Sequence, residues 1–410
     1  MLELDVSLAF DAANDQEFFS ALPDKPAVCL VALNDANAEP LLIRTQDLRR
    51  RLQRLLGVPD PASKRLNLRH LAQAVRYRIV GSTFEQTFTY YQHARKLFPQ
   101  RYRDLLRLRP PAVLKVSLRN AYPRCYVTRH IFVDSTGAPS AGTYYGPFPS
   151  RGAALAFANR ALDFFKIRRC QIKIRRDPSF PGCLYSEMKM CLAPCFAGCS
   201  KEEYDAEVQR FVKFLESSGE SLRAAFESER ERASDDLDFE RAATLHKKVE
   251  KLDEVLRGRP ELARRIQALD AVILQRGAEE QVVAAYRVQG GRLCEPFFLP
   301  FGEIASQPRS AEHIFRNYLE LAPADGASQM EIGFQGETGP PNAPSVSAGV
   351  VAPKAELSEH LWLVARWFYS NPRTGEIFFR EKNDWPYRRI LRACSRLLAA
   401  PEPPKASGSK

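Results

Sequence analysis

The sequence predicts an α+β multidomain protein, on three observations. Short apolar, β-like runs mix with helix-period stretches in the first third of the chain. A long charged helical stretch occupies the middle, and strand-like runs return near residue 270 ahead of a segment rich in Ala, Pro, Gly and Ser. At 410 residues, 45% of them hydrophobic, the chain has room for roughly two to four domains.

Residues 18–135 read as a small α/β domain. Ala27–Leu33, Val113–Leu118 and Cys125–Phe132 have strand character; Thr45–Leu56, Leu68–Val75 and Phe84–Phe98 have helical spacing. Gly142-Thr-Tyr-Tyr-Gly-Pro-Phe-Pro-Ser150 is a Gly/Pro loop, and Arg151–Phe165 repeats Ala154, Ala158, Leu162 and Phe165 as a helix does. These open a cysteine-rich region over 140–200. Residues 201–260 read as helical: Ser200, with Glu202 and Glu203 behind it, is a capped helix start. A break is expected near Ser217–Gly219. Within Ala233–Leu256, the residues Leu237, Ala242, Leu245, Val249, Leu252 and Leu256 form one apolar stripe among charges, half of a hairpin or a docking face.

Residues 265–321 form a small β-rich region, with strands at Asp270–Leu274, Val282–Val288 and Pro296–Phe301 and a turn at Gln289–Arg292. Residues 322–355 read as a flexible linker. Residues 356–399, with Trp362, Trp367, Phe368 and Trp385, read as a C-terminal helical piece, and 400–410 as a disordered tail.

Charge narrows the partners. The net charge is +11, but Leu41–His130 alone holds 20 Lys or Arg against Asp47, Asp60, Glu85 and Asp104. So uneven a basic block points to a polyanion, and Arg49, Arg50, Arg51, Arg101, Arg103 and Arg107 are the candidate DNA contacts, chosen for density alone. The bland alternative is a basic surface that aids solubility. No signal-peptide pattern, long apolar run or clean amphipathic face calls for a membrane, so a cytoplasmic protein is expected.

Five of nine cysteines fall between 170 and 199. Cys170, Cys183, Cys191 and Cys195 are the candidate ligands, with Cys199 a spare that could replace Cys195. In a reducing compartment, clustered thiols bind metal more often than they form disulfides. Four thiolates suit zinc or an iron–sulfur cluster. Structural zinc favours paired Cys-x-x-Cys knuckles, whereas these long, irregular gaps suit a cluster wrapped by loops; reduced structural cysteines remain the third reading. Cys29, Cys125, Cys294 and Cys394 read as ordinary buried thiols.

Three motifs, in this order, resemble the UvrC family, the incision component of the bacterial ABC excinuclease in nucleotide excision repair. They are Tyr144-Tyr-Gly-Pro-Phe148 ahead of a helix; the segment Cys170 to Cys195 with Cys-Leu-x-Tyr and Cys-x-x-Pro-Cys; and Leu237-Asp-Phe-Glu-Arg-Ala-Ala243 inside a charged helix, similar to the UVR motif (233–257 here). The resemblance implies a [4Fe-4S] cluster at the four cysteines. It also implies a helical hairpin, with Leu237, Phe239, Ala242 and Ala243 as partner-binding residues, that docks on a UvrB-type helicase subunit.

It further implies that residues 18–135 occupy the place of a GIY-YIG nuclease. Leu22-Pro-Asp-Lys-Pro-Ala-Val-Cys-Leu30 resembles its start, with Ala27 and Cys29 where Gly and Tyr are expected. The second signature, due near Leu41-Leu42-Ile43, lacks its Tyr and Gly. The catalytic Arg aligns with Arg51 and is kept; the metal-binding Glu aligns with Tyr90. Hard divalent cations want carboxylates, and a phenol with pKa near ~10 does not replace one. The expectation is a degenerate nuclease domain, with Glu85 the only displaced carboxylate to consider. An RNase H-like second nuclease is not expected, because 302–410 shows no spaced Asp pattern. The resulting reading is a UvrC-like DNA-binding or partner-docking scaffold without incision. The alternative is an active Mg²⁺- or Mn²⁺-dependent structure-specific endonuclease with a rearranged site.

Overall fold

In the computed structural model of the chain, residues 1–35, 37–60, 62, 64–134, 138–304, 310–320, 353–381 and 384–399 are described. The expected linker at 322–355 lies outside them except for its last three residues, and the tail at 400–410 lies wholly outside.

Three antiparallel sheets organise the described residues. The first orders Val6–Ala9, Ala72–Ile79, Ala27–Leu33 and Leu41–Thr45. Alternation along Ala27–Leu33 gives this sheet two buried faces. Ala27, Cys29 and Val31 pack with Leu48, Leu52 and Leu55 of the Leu48–Leu56 helix. Val28 faces the other way, toward Phe84, Phe88 and Tyr91 of the Thr83–Leu97 helix. Leu68–Val75, expected as helix, is instead a turn leading into the Ala72–Ile79 strand. Leu68, Ala72 and Val75 mimic helical spacing. Yet Val75 and Tyr77 are buried while Arg76 is exposed between them, and the strand bonds to neighbours on both sides.

The second sheet orders Cys125–Thr128, Ala112–Val116, Thr143–Phe148 and Arg264–Arg265. The strands at 112–128, read above with the N-terminal domain, therefore pair outside it. A period-two pattern identifies a strand but is blind to which sheet receives it. The Arg151–Leu162 helix covers this sheet and shares a core with the helices Lys201–Glu216, Glu220–Asp235 and Phe239–Arg257. Ser200 opens the first of these with a capping box: its hydroxyl accepts from Glu203 N at 3.1 Å, and the Glu203 carboxylate accepts from Ser200 N at 2.7 Å. Gly219 turns the chain between helices at φ 95°, where a Cβ would lie 2.4 Å from the Leu256 side chain, so only glycine fits.

The third sheet orders Arg292–Leu293, Val282–Gln289, Ala271–Arg276 and Glu376–Phe379, with Phe297–Pro300 also on the Val282–Gln289 strand. Residues 265–321 and 356–399, expected as separate pieces, thus build one layered unit. Glu376–Phe379 is four residues long, too short for its alternation to stand out beside two helices. Pro353–Phe368 packs on one face; Ala311–Glu320 and Tyr387–Ala399 pack on the other. The N-terminal unit joins this layer rather than standing apart. The Phe84 ring lies 4.9 Å from Tyr286 and 5.6 Å from Trp367, both edge-on or tilted. Among the described residues no helix is long and apolar enough to cross a membrane.

Candidate metal centre and nucleic-acid interface

The cysteine loop leaves the Arg151–Leu162 helix through Phe165 and Ile167, both buried in the second core. Arg168 then turns its side chain inward. Its Nε donates to Tyr122 O at 2.8 Å and its Nη1 to the carbonyls of Cys170 at 3.2 Å and Ile172 at 3.0 Å, with Cys170 Sγ at 3.7 Å. Tyr204 OH donates to Pro123 O at 2.7 Å and accepts from Arg168 N at 3.1 Å, which ties the loop to the Lys201–Glu216 helix. Leu192 N bonds Lys166 O and Asp177 N bonds Cys195 O, closing the loop on itself.

Cys170, Cys183, Cys191 and Cys195 line one cavity of about 190 Å³, together with apolar side chains including Ile172, Ile174, Phe180 and Pro194. Burial pushes the Cys191 thiol up to about 11, against the hydrogen bond that Ala193 N gives its sulfur at 3.3 Å, and the other three cysteines add repulsion. Cys195 is raised by burial as well. Thiols gathered in a largely apolar cavity gain from a cation that stabilises their thiolates. Zinc would draw its sulfurs to about 2.3 Å from one point. Among the described residues no group of three or more His, Cys, Asp or Glu is set closely enough to hold a metal ion. Four thiols around a shared void are the donor set that zinc or an iron–sulfur cluster takes. Cys199 does not line this cavity; it sits in the second core. Cys29, Cys125 and Cys394 are buried in cores and pushed up to about 12 by desolvation.

In the N-terminal unit, Asp47 caps the Leu48–Leu56 helix by accepting from Arg50 N at 2.8 Å. Arg50 and Arg51 lie exposed beyond its buried leucine face, while Arg49 turns back to Leu22 O. Tyr90 is buried, with the Arg44 guanidinium 4.8 Å from its ring centroid. Glu85 is fully buried: Gly81 N donates to it at 2.9 Å and Arg78 Nε lies at 3.4 Å. Burial raises its carboxyl despite both contacts. The displaced carboxylate is therefore committed to Arg78.

The arginines chosen for density divide. Arg101 pairs with Glu39, and Arg103 Nε reaches the buried Glu359 at 3.1 Å. Both are occupied rather than free for phosphate, because surface density says nothing about which acids the fold brings alongside. Arg107, left-handed at the C-cap of Tyr102–Leu106, is exposed like Arg50 and Arg51. Sequence reasoning missed the Glu359 site, where Tyr91 OH donates at 2.7 Å and Tyr102 OH at 2.6 Å, from partners 268 and 257 residues away in the chain. Only the aromatic and acidic content of the three helices that supply these residues hinted at it.

The expected stripe on Ala233–Leu256 is broken at its start. Leu237 stands outside the helices, in a left-handed turn at φ 59° between Glu220–Asp235 and Phe239–Arg257. Leu245, Val249 and Leu252 are buried within the protein. Leu237 and Phe239 project from the hairpin tip, 72% and 67% exposed, with Ala242 half-buried and Ala243 exposed behind them.

Residues 112–214 match the family model described as UvrC/Cho excinuclease, middle domain. Among curated proteins, the chain is similar to UvrABC system protein C of Carboxydothermus hydrogenoformans, 28% identical over 274 residues, 66% of this chain and 43% of the relative. The protein of that name from Caldanaerobacter subterraneus subsp. tengcongensis is 24% identical over 315 residues, 75% of this chain and 50% of the relative. That from Idiomarina loihiensis is 35% identical over 136 residues, 33% of this chain and 22% of the relative. The chain thus spans half or less of the length of these relatives. No solved structure matches it significantly.

Proposed function

Because the chain belongs to the UvrC family, we propose that it is a DNA-binding protein of nucleotide excision repair that holds DNA and a partner without cutting DNA. The observation that carries this is the chemistry at position 90: a buried phenol faced by Arg44 stands where a metal-binding carboxylate is expected, and Glu85 is held by Arg78. Metal-assisted phosphodiester cleavage needs an acid there to hold the cation that neutralises developing charge. Arg50, Arg51 and Arg107 remain available to phosphates.

Cys170, Cys183, Cys191 and Cys195 hold a [4Fe-4S] cluster in this reading, with zinc as the alternative ligand. Such a cluster would replace thiol protons by bonds that order the basic loop. Leu237 and Phe239 at the hairpin tip supply an apolar docking point for a UvrB-type helicase subunit. The test is duplex binding by anisotropy across a salt series. Each phosphate contact should steepen the slope of log K against log salt by ~0.9. Undetectable binding at low salt would defeat the proposal. Mg²⁺- or Mn²⁺-dependent nicking would favour the alternative, an endonuclease with a rearranged site around Arg51.

A further inference from the structure

On the loop that carries the cysteine cavity, large apolar side chains face solvent. Leu184 is 65% exposed and Met188 58%, and Ile172, Phe180 and Tyr185 are each more than a third exposed. Single exposed apolar residues are ordinary, but a group of them on one short loop is a patch. The loop holds them in place. Cys183 N donates to Ser186 Oγ at 2.8 Å, Met190 N bonds Tyr185 O, and Lys189 takes a left-handed conformation that folds the chain back. Phe180 and Tyr185 also wall the cavity, so they are braced from behind.

Lys173, Arg175, Arg176 and Lys189 are interspersed with these side chains along the loop sequence, exposed and without an ion pair among the described residues. Arg169 pairs with Asp163 and sits 5.9 Å from the Tyr185 ring centroid. Of the two acids, Asp177 is turned to Ser179 N at 2.9 Å and Ser179 Oγ at 2.7 Å, leaving Glu187 to offset the cations. Charge selects the occupant. A second copy of a chain with net charge +11 would bring cations against cations. Unpaired nucleotides offer flat apolar bases and phosphates at alternating positions, which matches the loop.

We propose that this loop binds unpaired nucleotides. Tyr185 and Phe180 stack on bases, Leu184 and Met188 wedge beside them, and Lys173, Arg175, Arg176 and Lys189 hold the flanking phosphates. The assignment rests on the DNA-binding reading above and names its substrate class: DNA opened into a bubble or single strand, rather than intact duplex.

The test compares the full chain on a fully paired duplex and on the same duplex with a short central bubble, by anisotropy at one salt concentration. Wild type should bind the bubble roughly tenfold more tightly, the range expected for one or two stacked bases. The double variant Leu184→Ser, Met188→Ser should lose most of that preference and keep duplex affinity. Tyr185→Leu, which preserves bulk against the cavity, should lose it too. Equal affinity of wild type for both DNAs overturns the assignment, as does a preference that survives both variants or a loss that is equal on both DNAs. Absence of binding to either DNA at low salt defeats the parent reading instead.

Discussion

The Arg44 guanidinium lies 4.8 Å from the ring centroid of the buried Tyr90, the position that the resemblance aligns with a metal-binding glutamate. Arg44 also donates from Nη1 to Thr87 Oγ1 at 3.5 Å, one turn earlier on the same helix. In the proposed reading, a guanidinium and a phenol disfavour a divalent ion there by charge as well as by ligand type. The proposed reading, DNA contact without hydrolysis, follows from this arrangement.

On that reading Arg51 is one phosphate contact among several. Arg51→Ala should weaken duplex binding severalfold and reduce the salt slope by ~0.9, with no effect on the DNA sequence preferred. Titrations across a range of salt concentrations read both quantities. Arg103→Ala should behave differently, since Arg103 serves Glu359: it should lower thermal stability more than DNA affinity.

At the cysteines, replacing Cys170, Cys183, Cys191 or Cys195 singly by Ser should abolish bound iron and visible absorbance in anaerobically purified protein. Cys199→Ser should keep both, because Cys199 packs in the second core rather than at the cavity. Iron and zinc analysis on all these variants checks this. Stoichiometric zinc with no iron would select the alternative ligand.

For the hairpin, Phe239→Asp and Leu237→Asp should leave stability within about 0.5 kcal/mol, since both side chains already face solvent. Co-purification with a helicase subunit should be lost. Leu252→Ala removes a fully buried side chain of the same hairpin and should cost about 2–5 kcal/mol in urea unfolding.

The contact between the N-terminal unit and Pro353–Phe368 should be acid-sensitive. His360 accepts from Leu293 N at 3.1 Å and faces Glu356, Glu359, Arg95 and Arg292; burial lowers it from 6.5 to about 4. The unfolded chain then binds the extra proton first, so stability should fall as pH drops from 6.5 toward 4, by about 3 kcal/mol at most. Glu356, lowered by Arg95, adds a loss in the acid range as it is protonated. His360→Gln, which keeps an acceptor for Leu293 N, should flatten the decline in thermal unfolding across that window.

What was legible in the sequence was local. Ala27–Leu33 is a strand as its alternation requires, Ser200 caps as its Glu203 partner requires, and four cysteines with irregular gaps do share a cavity. What escaped was long-range. Nothing near Glu376–Phe379 says that it pairs with Ala271–Arg276, and nothing near Arg103 says that Glu359 comes to meet it. Leu237 fits a helical stripe by spacing, yet it takes the left-handed turn that lets two helices fold back on each other.

One assay addresses binding and cleavage together: purified protein on supercoiled plasmid and on bubble-containing duplex, with Mg²⁺ and with Mn²⁺, scored for both complex formation and nicks. Salt-sensitive complexes without nicks, in wild type and in Arg51→Ala alike, are the predicted result. Metal-dependent nicks in wild type that vanish in Arg51→Ala would contradict it.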